Sequence, residues 1–145
     1  MKTTLGKLVD ASPSMQKLAV QDLPVKTAYA LSRTIKAADD HLETYEAQYA
    51  KLLERYCEEK EDGRWAAKTP EDKKSMDEDL RALRGIEVEL AVKACRIPEA
   101  AADSLSLSGF DIINLADFVE FDFGDDKPKK EPKKAKKEEK QNGNQ

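Results

Sequence analysis

From residue 31 to residue 56 the apolar positions of this chain recur at alternating spacings of four and three. They are Leu31, Ile35, Ala38, Leu42, Tyr45, Tyr49, Leu52 and Tyr56. This is a heptad seam of the coiled-coil kind, with Lys, Arg, Asp and Glu on most flanking positions. Pro24 suits the first turn of a helix, and the proline pushes Leu23 before it toward an extended conformation. The pattern predicts one continuous helix over residues 24–56, about 50 Å long at about 1.5 Å per residue. A stripe that long must be covered by the rest of the chain or by another copy.

Ahead of it, Leu5, Leu8, Val9, Met15, Leu18 and Ala19 lie near helical spacing, but Ser12-Pro13 interrupts them. Residues 1–22 therefore read as one broken helix or two short ones. After Tyr56 the polar run of residues 57–63 ends at Gly63, which reads as a helix end and turn. Residues 64–69 read as irregular. Thr69-Pro70-Glu71-Asp72 combines a capping threonine, a first-turn proline and two early acids. It predicts a second helix over residues 70–83, antiparallel to the far part of the long one and ended by Gly85. The N-terminal helices and this short helix are expected to leave part of the seam uncovered.

The period then changes. Ile86, Val88, Leu90, Val92 and Ala94 alternate with mostly polar neighbours, predicting a half-buried strand over residues 86–95. Its partner is residues 119–123, the N-terminus or another chain. Residues 99–107 read as a connection of small residues. Ser108 caps a helix carrying Asp111, Ile112, Leu115, Ala116 and Val119, with an edge strand over Val119, Phe121 and Phe123 as the alternative. The fold class is α+β, mostly α: a long heptad-patterned helix packed with N-terminal and hairpin helices, a small β element, and a C-terminal helix or edge strand.

Charge divides the chain. Residues 125–145 hold 8 Lys against 5 acids, while the remainder holds 17 basic and 24 acidic residues. We expect a domain over residues 1–124 and a disordered Lys-rich tail over 125–145, which carries no apolar face to offset ordering entropy. An acidic domain repels phosphate, so nucleic acid is expected at most as a weak contact of the tail. No run approaches the roughly 20 apolar residues of a membrane helix, and no secretory signal precedes Cys57 and Cys95. Reduced thiols in a cytoplasm are expected.

Candidate chemistry is sparse. His41 is the only histidine and has no ligand-spaced partner. The run from Glu58 to Asp62 lacks the alternating ligands and closing glutamate of a calcium loop. Phosphate-cradling, nucleophile-elbow and zinc-helix motifs are absent from the sequence. No enzyme, cofactor or metal is expected. Asp39, Asp40, Glu43 and Glu46 crowd one flank of the long helix, beside Tyr45 and Tyr49. A continuous helix offers no loop to close around an ion, so the four acids read as a solvated face or as a docking face for a basic protein partner, with Tyr45 and Tyr49 included in the partner-binding set.

The order of motifs adds a setting. Leu23-Pro24-Val25-Lys26 opens the long helix, Leu53-Glu54-Arg55-Tyr56 closes it, and Asp62-Gly63 follows. Gly85-Ile86-Glu87-Val88-Glu89-Leu90, Ile97-Pro98 and Leu107-Ser108-Gly109-Phe110-Asp111 come after the second helix. Over most of residues 1–121 this resembles a family of small proteins from tailed phages of Gram-positive bacteria and their prophages, the domain of unknown function numbered 1617. The resemblance implies a phage gene product made in the bacterial host cytoplasm, with the virion as a second location, and it carries over no catalytic residue. Two functions follow as expectations. One is a structural, tail-associated or assembly factor, acting through its helical hairpin and as a homo-oligomer. The other is an inhibitor that binds a host nucleic-acid enzyme or defence protein through its acidic face.

Overall fold

The computed structural model describes residues 1–123. The expected tail over 125–145 lies outside the described residues. The architecture is α+β and mostly helical, and its axis is α2, Val25–Tyr56. Pro24 caps α2 at φ −54°, and the α2 backbone is unbroken to Cys57. At about 1.5 Å per residue α2 is about 48 Å long. Two helices of about 22 Å each share its length: α1, Leu5–Ala19, and α3, Pro70–Arg84. Val9 and Pro13 of α1 line one groove with Leu42 and Tyr45 near the middle of α2. Toward the far end, the Tyr56 hydroxyl donates to Asp79 of α3 at 2.7 Å.

This arrangement corrects two expectations. α1 is one helix that runs through Pro13, not a broken pair. Proline in a helix interior costs about 3 kcal/mol. Leu8, Ala11, Met15 and Leu18 are buried on either side of it, and burying each of the larger side chains contributes about 1.5–3 kcal/mol. Packing outweighs the local break. Because α1 is whole, the seam is better covered than expected. Leu31 and Ala38 are buried, and the other six seam residues are half-buried, with none exposed.

The short strands tie the ends of the chain together. The strand expected over residues 86–95 is not continuous: β4 (Glu87–Glu89) lies within it, residues 90–94 are not strand, and β5 (Cys95–Ile97) begins only at its last position. β1, Lys2–Thr4, pairs antiparallel with β4, setting Thr3 opposite Val88. β6, Val119–Phe121, pairs parallel with β5, setting Cys95 opposite Val119. β4 and β5 thus each take one of the two partners expected within the chain, and the irregular residues 91–94 join them. The parallel pair needs a crossover. It is made by α4 (Glu99–Ala102), missed in the small-residue connection, and α5 (Gly109–Leu115). The helix capped by Ser108 runs as α5 to Leu115, and the edge-strand alternative holds at Val119–Phe121 but not at Phe123.

Residues 57–67 are not a plain turn. β2 (Cys57–Glu59) and β3 (Trp65–Ala67) form an antiparallel hairpin at the far end of α2. Gly63 sits at φ 85°, a left-handed position that glycine occupies without strain, and its N–H donates to the Lys60 carbonyl at 2.9 Å. The core lies where α1, the first half of α2, β4–β6 and α5 meet. Phe118, Leu8, Leu18, Leu31, Ile97 and Leu115 are fully buried there.

Candidate functional site

Asp39, Glu43 and Glu46 follow one another at four and three, which stacks them along one side of α2. Asp40 adjoins Asp39 one position round. All four are exposed. None of their carboxylates forms an ion pair or hydrogen bond with another described residue. Elsewhere the described acids are often engaged: Asp10 with Arg84 at 2.7 Å, Asp117 with Lys7 at 3.1 Å and Asp62 with Arg64 at 2.6 Å. The flank is therefore a run of four carboxylates, without a side-chain partner among the described residues, on one continuous helix.

The two tyrosines stand differently. Both are half-buried on the seam side of α2, with ring centroids 6.0 Å apart at 55°. Tyr45 packs against the core. It also lines a groove of about 220 Å3 with Val9, Ser12, Pro13, Leu42 and Glu46. The structure thus brings Tyr45 and Glu46 together beside the exposed Pro13. Tyr49, Asp39, Asp40 and Glu43 do not line that groove, and the three acids are exposed.

The most engaged acid is one that sequence reasoning treated only as part of a helix. Asp111 is buried at the start of α5. Lys17 Nζ donates to its Oδ2 at 2.7 Å, the Ser108 N–H donates to Oδ2 at 2.9 Å, and Ser14 Oγ donates to Oδ1 at 2.8 Å. The lysine contact first, then the serine donors, hold the carboxyl well below the usual carboxylate range. A carboxylate so fully donated to has little capacity left for proton transfer, and its role is to fasten α5 to α1. The Ser108-x-x-Asp111 capping box is legible in the sequence; the contacts from Ser14 and Lys17 are not.

The cysteines stand apart in the fold. Cys57 and Cys95 are both free and buried, and burial pushes the Cys95 thiol pKa up. Among the described residues no group of three or more His, Cys, Asp or Glu is placed to hold a metal ion. Among them too, no helix is long and apolar enough to cross a membrane. No protein-family model, curated protein or solved structure matches the chain. The resemblance to the phage family rests on the order of its motifs alone.

Proposed function

We propose that the chain is a non-enzymatic small phage protein that acts by binding a basic protein through the acidic flank of α2. The observation that carries this is the run Asp39, Asp40, Glu43 and Glu46, exposed and without ion-pair partners among the described residues. Host proteins that handle nucleic acid present basic surfaces, and an unbroken helix holds four carboxylates against such a surface at little conformational cost. The setting, a bacterial host cytoplasm, comes from the family resemblance. The seam favours this inhibitor reading over self-assembly, because no seam residue is exposed.

The assembly reading keeps one supporting observation. Tyr49, Leu52 and Tyr56 are only half-buried in the far half of α2, a strip that a structural partner or a second copy would cover. One experiment separates the two. The protein and its variant with all four acids changed to Lys are immobilised and exposed to host lysate at rising NaCl. The acidic-face reading requires retained basic proteins that salt releases and that the variant fails to retain. Retention of the same proteins by the variant overturns it. Recovery of the protein in purified virions, with no salt-sensitive host partner, supports assembly instead.

A further inference from the structure

We infer that the chain carries a second site, for a small molecule bearing an oxyanion, in the cleft between the first half of α2 and the turn of residues 91–94. The cleft encloses about 590 Å3, within the roughly 300–1,000 Å3 of small-ligand sites. Ala30 and Arg33 of α2 form one side of it, and Ala91, Val92, Lys93 and Ala94 form the other. Three alanines keep the walls short, which leaves the space open.

Its charge is the reverse of the domain's. Arg33 and Lys93 are both exposed, and neither side chain has an ion pair or hydrogen bond with another described residue. The one acid lining the cleft is Glu89. Its carboxylate accepts from the Met1 ammonium at 3.1 Å, and that ammonium also donates to the Leu90 and Val92 carbonyls at 2.7 and 3.2 Å. Two uncompensated cations therefore remain at the cleft.

The backbone supplies the second half of the site. Residues 91–94 belong to neither β4 nor β5, because the chain here leaves its pairing with β1 before beginning its pairing with β6. None of their four N–H groups is hydrogen-bonded to a described residue. N–H groups without an internal acceptor are available donors for an oxyanion, and cations beside them add charge-assisted bonds. Carboxylate and phosphate share this chemistry. The site shares no residue with the acidic flank, so the two readings fail independently.

Titration of the 15N-labelled protein with inorganic phosphate, and separately with succinate, tests it. The expected result is saturable shifts concentrated at the amides of residues 91–94 with at least one anion. The anion that saturates identifies the ligand's charged group. Arg33→Gln with Lys93→Gln should weaken that binding by about tenfold or more, the loss expected when charge-assisted bonds to an oxyanion are removed. Lys51→Gln, an exposed cation on α2 outside the cleft, should leave it unchanged. Shifts that stay linear, that spread evenly over exposed lysines, or that survive in the double variant overturn the site. Both replaced side chains are exposed, and an unchanged melting curve confirms that lost binding is not lost folding.

Discussion

Ser14 and Asp111, ninety-seven positions apart, share a buried hydrogen bond of 2.8 Å that locks the crossover helix α5 onto α1. With Lys17 and Ser108 also donating, the Asp111 carboxyl is held well below its usual range. Its unfolded counterpart titrates near about pH 3.9. Between that value and the depressed folded one, the unfolded chain binds the extra proton, so stability rises with pH across this window. The contribution is complete above about pH 4 to 5 and is lost as the pH falls through the folded pKa. Urea unfolding from pH 7 down to pH 2 should show that loss in the parent. In Asp111→Asn the acid-side slope should flatten, and stability at pH 7 should be lower. Equal slopes would show that the lysine contact does not persist in solution.

Gly6 marks where α1 and α3 touch. A Cβ at Gly6 would lie 3.0 Å from the Arg84 Cβ and 3.1 Å from its Cζ. The Arg84 guanidinium also donates to Asp10, one turn along α1, at 2.7 Å. The far end of Arg84 can swing away, but its Cβ moves only with α3. Gly6→Val should therefore force the helices apart and cost about 1–3 kcal/mol, as overpacking does. A melting temperature equal to the parent's would mean that α3 docks more loosely than described.

Two phenylalanines near the C-terminal end of the domain separate core from surface. Phe118 is fully buried, whereas Phe110 is 77% exposed. Phe118→Ala should cost about 3–5 kcal/mol, and Phe110→Ser should stay within about 0.5 kcal/mol. Denaturant melts of the two variants give the comparison directly. Similar losses would show that α5 is rotated from the described position.

That pair also marks the limit of what the residues reveal on their own. The long helix was legible because its period is sustained through Tyr56, and α3 because Thr69-Pro70 and two acids agree at its start. Pro13 misled because a local helix breaker is weighed without the buried neighbours that hold α1 together. The strand of residues 86–95 misled because alternation marks which residues face inward, not where a strand changes partners. The β2–β3 hairpin was missed because Glu58 and Glu59 are poor strand formers, and only pairing with Ala66 and Trp65 makes them a strand. The acidic flank was legible from spacing alone. The cleft at Arg33 and Lys93 was not, because it depends on how residues 91–94 fold back beside α2.

The seam gives a graded test of how α1 covers α2. Ala38 is fully buried and Leu42 half-buried. Ala38→Asp places an unpaired charge in the core and should cost more than about 4 kcal/mol. Leu42→Asp lets its carboxylate reach water and should cost about 1–3 kcal/mol. The order is what the fold requires. A larger loss at Leu42 would place α1 elsewhere along α2.

The acidic flank should carry a stability cost, and that cost can be removed. Asp39 and Glu43 are four apart, and Asp40 and Glu43, like Glu43 and Glu46, three apart on an exposed helix face. Like charges at these spacings destabilise by about 0.2–0.5 kcal/mol per pair. Glu43→Lys turns all three repulsions into attractions, so it should raise stability by roughly 1–3 kcal/mol. Added salt should stabilise the parent by screening the flank, and should stabilise this variant less. The same substitution removes one of the four carboxylates offered to a basic partner, so it should weaken salt-sensitive binding while the fold becomes firmer. A variant that gains stability and loses binding would identify the flank as an interaction surface held at the expense of folding free energy. A variant that gains stability and binds as before would leave the four acids as a solvated face, and the proposed function without its support.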